Sequence, residues 1–214
     1  ASGGNPNLKP YQSTNYELSA EYYPRAGALL SLELFRREVK DYILNGLSRQ
    51  TFFNELTQTN ASYLVSQPLN GGKANVNGAL VSAQGEIWHG FGLQANYSYA
   101  ESSTDEGLNL PYLSKHTVNV IPYYENGPFQ ARLSYNYRSA YFRAIGRLNS
   151  IDMVAPYSQL DFSAGFNLTK AVTLTVNAQN LLDSTYTQYS GTRDRPTAFY
   201  KNGRTFAASV SFRM

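Results

Sequence analysis

The chain contains no cysteine, which excludes a disulfide scaffold and any thiolate metal centre. Its two histidines, His89 and His116, cannot supply a multi-histidine site. Charge is scarce: 15% of the 214 residues are Asp, Glu, Lys or Arg, against roughly 25% in an average soluble domain. Something other than surface charge therefore keeps the molecule in its medium. The formal net charge of +3 comes without a Lys/Arg block, so no nucleic-acid partner is expected. No window approaches the roughly 18 consecutive apolar residues of a transmembrane helix. The opening ASGGNPNLKP has neither a basic n-region nor an apolar h-region and reads as mid-chain sequence. Aromatic side chains, by contrast, are abundant: 18 Tyr and 11 Phe against a single Trp.

Two-residue alternation runs through almost the whole chain, and a helical stripe appears almost nowhere. Leu93, Ala95, Tyr97 and Tyr99 alternate with Gln94, Asn96 and Ser98. Phe129, Ala131, Leu133, Tyr135 and Tyr137 alternate with Gln130, Arg132, Ser134, Asn136 and Arg138. Leu160, Phe162, Ala164 and Phe166 do so with Asp161, Ser163 and Gly165, and Phe206, Ala208, Val210, Phe212 and Met214 close the chain in the same way. The pattern predicts about nine strands, near residues 15–24, 28–45, 62–88, 92–104, 115–125, 129–142, 158–168, 171–182 and 204–214. The second is the least regular, because RREVKDY breaks its alternation.

The connections alternate in length. Short turns are expected at 24–27, 89–91, 125–128 and 169–170, and long loops at 46–61, 105–114, 143–157 and 183–203. A meander with tight turns at one rim and long loops at the other is the pattern of outer-membrane barrels. Tyr22, Tyr23, Trp88, Phe91, Tyr123, Tyr124, Phe129 and Phe166 fall near the short turns; Tyr97, Tyr99, Tyr135, Tyr137, Tyr141 and Phe142 lie toward the long loops. The two groups are about ten residues of strand apart, the length a tilted strand needs to cross hydrocarbon, and so form two aromatic belts. The same alternation would suit a soluble β-sandwich or lipocalin-like barrel, but its outer face would then be too poor in Lys and Glu to stay unaggregated. An odd strand count puts the two chain ends at opposite rims, with ASGGNPNLKP outside. Nine strands alone would leave unpaired edges in lipid, so partner strands are expected from elsewhere.

Five segments carry a resemblance: GNPNLKPYQSTNYELSAEYYP at 4–24, QPLNGGKANVNGALVSAQGEI at 67–87, LSKHTVNVIPYYENGPFQARLSYNYRS at 113–139, LTVNAQNLLDSTY at 174–186 and GRTFAASVSFRM at 203–214. On these the chain resembles the C-terminal barrel portion of TonB-dependent outer-membrane receptors, most closely the branch typical of Xanthomonas and Caulobacter. The resemblance implies an all-β transmembrane antiparallel barrel, with residues 1–214 as the C-terminal part of a 22-stranded barrel whose lumen holds a plug. It further implies residence in the bacterial outer membrane. The activity implied is energy-coupled uptake of a scarce oligosaccharide or ferric siderophore, through a TonB complex acting on the plug. The partners implied are outer-membrane lipid, the remaining strands, the plug and a small-molecule or oligosaccharide ligand. Neither plug nor TonB-contacting box is visible in this sequence. The chain ends in Met214 where the family usually has an aromatic residue.

For chemistry, His89 and His116 read as turn and rim residues, with no metal, cofactor or catalytic role. The long loops hold no histidine, so an external Ser/His hydrolase is disfavoured and no enzyme is expected. The acidic group Glu101, Asp105 and Glu106 reads as a solvated loop rather than a cation site. The PLNGGKA stretch lacks the spacing of a phosphate loop and reads as a strand kink with close backbone approach. Asn180 and Asp183 of NLLDSTY read as backbone caps. The candidates for ligand contact are the outer-loop rings and cations Phe52, Phe53, Tyr112, Tyr141, Arg143, Arg147, Tyr189, Arg193, Arg195 and Tyr200, since rings stack on planar ligands and Arg grips oxyanions. Tyr63, Phe142, Tyr157, Tyr186 and Phe199 share those loops. Gln130, Arg132, Asn136, Arg138 and Asp161 are expected to line the lumen and face the plug.

Overall fold

The computed structural model describes residues 2–146 and 149–213, and these contain fifteen β-strands. Nine form one antiparallel sheet, in chain order: β1 (Gln12–Arg25), β2 (Ala28–Lys40), β5 (Lys73–Trp88), β6 (Phe91–Thr104), β7 (His116–Asn126), β8 (Phe129–Arg138), β11 (Tyr157–Asn167), β12 (Val172–Gln179) and β15 (Thr205–Phe212). The remaining six lie in the long connections at one end. β3 (Ile43–Asn54) and β4 (Thr59–Asn70) make a hairpin. β9 (Tyr141–Ile145), β10 (Ile151–Val154), β13 (Tyr186–Ser190) and β14 (Pro196–Tyr200) make a second sheet in the order β14-β13-β10-β9.

The register turns the alternation of each strand into two continuous faces. Leu133, Phe162, Ala178 and Phe206 lie side by side across four strands. Leu18, Leu34 and Ala79 do the same across β1, β2 and β5. Asn96, Asn119, Asn136 and Gln159 form a polar row on the opposite face, where Asn119 donates to Asn96 at 2.7 Å. Leu133 and Phe162 are each 37% exposed and Val210 53% exposed, so no dry interior lies between two layers. Burial is concentrated at the end with the long connections, in residues such as Tyr42, Val65, Tyr141, Phe142, Val154 and Tyr189. An exposed apolar face on this scale requires an apolar medium.

The short turns fall where the sequence puts them, and the rings beside them touch in series. Trp88 lies 6.4 Å from Phe91, Phe91 lies 4.5 Å from Tyr124, and Tyr124 lies 6.0 Å from Phe129. Tyr123 does not belong to this belt: it pairs with Gly92 on the polar face, where a Cβ at Gly92 would sit 2.0 Å from its ring. Tyr141 and Phe142 are also outside the second belt, being buried in β9.

Strand boundaries need three corrections. The second strand ends at Lys40, where Asp41 takes a φ of 54°, rather than near residue 45. The expected strand 62–88 is two strands, β4 and β5, divided by Gly71 and Gly72. The expected loop 46–61 is most of the β3–β4 hairpin. Period-2 alternation is the same for a strand in the wall and one in an external hairpin, so periodicity could not separate them. Arg147 and Met214 lie outside the described residues.

Placing a cation on the apolar face should be costly. Leu133→Lys near mid-strand is expected to destabilise the protein in lipid by about 2–4 kcal/mol, whereas Ser134→Lys on the polar face changes it by less than about 1 kcal/mol. Urea unfolding in lipid vesicles, followed by heat-modifiable gel mobility, measures both, and equal effects would contradict the assignment of faces.

Candidate functional site

Three excursions at the long-loop end are fastened to one another by residues that are ordinary in sequence. At the base of the β3–β4 hairpin the Tyr42 ring lies over Gly71, where a Cβ would come within 2.3 Å of it. The Gly71 N–H donates to the Tyr42 carbonyl at 2.6 Å, and the Asp41 N–H donates to the Gly72 carbonyl at 3.0 Å. The acidic pair of the next loop closes over this turn. The Gly72 N–H donates to Glu106 Oε1 at 2.8 Å, the Lys73 N–H donates to Asp105 Oδ2 at 3.0 Å, and the Tyr42 hydroxyl donates to Glu106. The glycine kink is thus a nest of backbone donors already filled by the protein's own carboxylates.

From there loop 105–115 lies against the polar face of the sheet. The Leu110 N–H donates to Ser102 Oγ at 2.9 Å, and Leu110, Pro111 and Leu113 close a concavity of about 660 Å³ against Phe35, Val76 and Leu80. Near the end of the loop stands Tyr112, 60% exposed, with a φ of 64°. That left-handed conformation is unfavourable for a bulky residue and persists only where its surroundings enforce it. Here they do: the Tyr112 N–H donates to the Phe142 carbonyl at 2.8 Å, and Arg138 Nη2 donates to the Tyr112 carbonyl at 3.3 Å.

Tyr112 begins a chain of rings. Its ring lies 6.2 Å from Tyr141, whose hydroxyl shares a 2.9 Å hydrogen bond with that of Tyr186. Tyr186 lies 6.2 Å from Tyr157 and 5.9 Å from Tyr200. The Arg138 guanidinium sits 4.1 Å from the centre of the Tyr141 ring, within cation–π range. Burial, reinforced by the Tyr186 hydroxyl, raises the Tyr141 pKa well above its ordinary value, so the phenol stays neutral. Arg143 pairs with Asp152 at 3.2 Å, and its Nε is buried with no hydrogen-bond partner among the described residues.

The expected ligand residues therefore separate into groups. Tyr112, Tyr141 and Tyr200 are joined through Tyr186. Phe52 and Phe53 are exposed on the hairpin, where Phe52 contacts Tyr63 at 6.1 Å. Arg193 and Arg195 are exposed in the turn between β13 and β14, and Tyr189 is buried as a packing residue. On the polar face Arg132 pairs with Glu125 at 2.6 Å, and Asn136 donates to Ser134 at 3.2 Å. Gln130 lies against Gly165. Asp161 accepts from Gln159 at 2.9 Å and from the Asn180 N–H at 2.8 Å. Asn180 acts as a backbone cap, whereas Asp183, expected to do the same, holds a lysine instead. The Ser184 N–H donates to Asn180 Oδ1 at 2.9 Å, Asn180 Nδ2 donates to the Gly203 carbonyl at 2.8 Å, and Asp183 pairs with Lys201 at 2.8 Å. Sequence reasoning did not single out Tyr42, and it placed Arg138 with the lumen residues alone. No spacing rule marks a tyrosine 29 residues before the glycine it covers. Among the described residues no cluster of three or more His, Asp or Glu could hold a metal ion.

An exposed apolar face on a meander with tight turns at one rim and fastened loops at the other defines an outer-membrane β-barrel wall. Residues 1–181 match the family model described as TonB dependent receptor-like, beta-barrel, and the chain belongs to that family. It is 27% identical over 202 residues to an iron-regulated outer membrane virulence protein of Vibrio cholerae, covering 89% of this chain and 30% of that protein. A ferric enterobactin receptor variant from Pseudomonas aeruginosa, solved with enterobactin, matches with a TM-score of 0.72 at 22% identity, covering 99% of this chain and 32% of that one. The copper transporter OprC matches with a TM-score of 0.69 at 19% identity, covering 96% and 31%. The chain thus spans about a third of the length of these proteins.

The carboxylate clamp carries a pH signature. The Tyr42 hydroxyl, and secondarily the Gly72 N–H, hold the Glu106 pKa below its ordinary 4.5 against a smaller opposing effect of burial. A depressed folded pKa contributes stability that is fully present above pH 4.5 and is lost as pH falls through the folded value. Hydrogen exchange should therefore show the Gly72 amide losing protection across that acid window. Glu106→Gln is expected to flatten this dependence; protection in the unmodified protein that ignores pH there would count against the clamp.

Proposed function

We propose that this chain is the C-terminal segment of the barrel of a TonB-dependent receptor that captures a scarce solute at its outer mouth. A plug and earlier strands supplied outside residues 1–214 complete the barrel, and the TonB complex acts through that plug to drive uptake. The chemistry is binding and gated passage, with no bond broken and no enzyme activity. The observation that carries this reading is the ring chain from Tyr112 through Tyr141 and Tyr186 to Tyr200, with Arg138 beneath it. Neutral phenols beside fixed guanidinium groups suit a planar, electron-rich, anionic ligand.

Of the two ligand classes, the ferric siderophore is favoured over the oligosaccharide. The Vibrio cholerae relative is named for iron regulation, and the Pseudomonas aeruginosa structure is named for ferric enterobactin. Tyr112, Arg143, Arg193, Arg195 and Tyr200 are the contacts proposed, with Phe52 and Phe53 as an outer rim. The other reading, a small autonomous barrel with a structural, adhesive or enzymatic role, is disfavoured by the free edges of β1 and β15, which carry no strand pairing among the described residues. Open edges cannot face hydrocarbon.

The test is titration of the full-length protein with ferric enterobactin as probe, followed by fluorescence quenching. Tyr112→Ala and Tyr200→Ala are each expected to weaken binding by about three- to tenfold, the value of one aromatic contact. A protein that takes up no ferric catecholate but binds maltooligosaccharides would return the ligand to the sugar class.

A further inference from the structure

Apolar side chains gather at one place on the lumen-facing side of β2, β5 and β6. On the short-turn side of that place the same face carries a polar row, Ser31, Ser82 and Asn96, one residue from each strand. Toward the long-loop end it carries Phe35, Val39, Val76 and Leu80 instead. Phe35 lies over Gly78, where a Cβ would come within 2.3 Å of its ring, and Val76 and Ala100 are buried. Loop 105–115 roofs this island with Leu110 and Leu113, leaving between them the recess of about 660 Å³ described above. That volume is within the roughly 300–1,000 Å³ of small-molecule sites.

The roof is held open by its own hydrogen bonds. Thr104 Oγ1 donates to the Leu108 carbonyl at 2.6 Å, and Ser114 Oγ donates to the Ser139 carbonyl at 3.0 Å, so the loop is fastened at both ends. Tyr112 borders the recess, and its ring also lies 6.2 Å from Tyr141 in the ring chain. A bulky residue kept at a φ of 64° carries strain of the kind found at ligand clamps. The charges at the edge decide what can enter. Arg37 stands 5.0 Å from the centre of the Phe35 ring and pairs with Glu17 at 3.8 Å, while Glu33 lines the edge with no cation paired to it among the described residues. An anionic group would meet that carboxylate, whereas a neutral hydrocarbon chain meets apolar walls.

We infer that this recess is a subsite for the apolar chain of an amphiphilic ligand, whose planar anionic head stacks on Tyr112 while its acyl tail passes beneath loop 105–115 onto Phe35, Val76 and Leu80. This subsite rests on the catecholate reading of the mouth and narrows the ligand to an acylated ferric siderophore. The occupant follows from continuity. The recess lies at the outer end of the wall, where Val39 and Val76 are within a few residues of the strand ends Lys40 and Lys73. It is bordered by the same tyrosine that begins the ring chain, so a tail attached to a head stacked there enters without descending into the lumen. Each methylene moved from water onto such walls strengthens binding by up to about fourfold.

Two ferric complexes of one catecholate scaffold, N-octanoylated and N-acetylated, test it by fluorescence quenching of the full-length protein in lipid nanodiscs. The octanoyl complex is expected to bind at least about tenfold more tightly than the acetyl complex. Leu80→Ser makes a wall of the recess polar, and Ser98→Phe fills it from the neighbouring strand. Each is expected to cut that ratio to below about threefold. Ser163→Phe, on the same face of the wall but away from the recess, is expected to keep the ratio of the unmodified protein. Heat-modifiable mobility identifies folded variants, and either of the two recess variants suffices. Equal affinities for the two complexes would overturn the subsite and leave the function of the mouth standing, with a plug side chain as the occupant. An octanoyl preference that survives both recess variants would overturn it too, since the tail would then gain its affinity from the bilayer. Binding of neither complex would overturn the catecholate reading, and the subsite with it.

Discussion

Hydrocarbon offers a backbone no hydrogen-bond partner, and that single constraint shapes the wall of this protein. Nine strands satisfy one another in an unbroken antiparallel order, so among the described residues the free edges of the wall are those of β1 and β15. The same constraint inverts the usual placement of side chains. Leu18, Leu133, Phe162 and Val210 are exposed, and the Asn and Gln rows occupy the opposite face. Tyr and Trp rings are useful at the boundary because each has an apolar body and a polar tip. Trp88, Phe91, Tyr124 and Phe129 form a continuous ribbon there.

Beyond the membrane, water returns and the construction principle changes. The outer excursions build a packed interior of ordinary type, with Val154 fully buried and Tyr42, Tyr141 and Phe142 nearly so. The excursions are also joined. Glu106 and Asp105 tie loop 105–115 to the hairpin base, and Tyr112 ties the same loop to β9. A ring at the mouth therefore rests on a scaffold that holds it in a backbone conformation it would not adopt alone. Preorganisation of this kind lowers the entropy lost when a ligand binds.

The wall was readable in the sequence because lipid on one side and water on the other impose a period of two that no loop disturbs. Phe162 and Ser163 declare their faces unaided. The outer end was less readable, since β4 and β5 alternate alike and differ only in what they pack against. Gly71–Gly72 and Asp105–Glu106 each looked unremarkable alone, as a kink and as a solvated pair; their meaning lies in a contact between residues more than 30 positions apart. Tyr123 was misplaced because sequence position near a turn does not fix the face, whereas its pairing with Gly92 does. Asn180 was legible because a cap is a local interaction.

The wall and the mouth carry different information about cargo. A ferric enterobactin receptor and a copper transporter match this chain almost equally well, with TM-scores of 0.72 and 0.69. A likeness shared by proteins named for such different ligands carries the fold and not the ligand. In this chain the loops concentrate tyrosines whose hydroxyls are satisfied by each other and a guanidinium that faces a ring. A surface of this kind gains most from a ligand that is flat, polarisable and negatively charged. Under the function proposed above, the exposed Arg193 and Arg195 of the β13–β14 turn are what would tell an anionic ligand from a neutral sugar, because Arg138 and Arg143 already have protein partners.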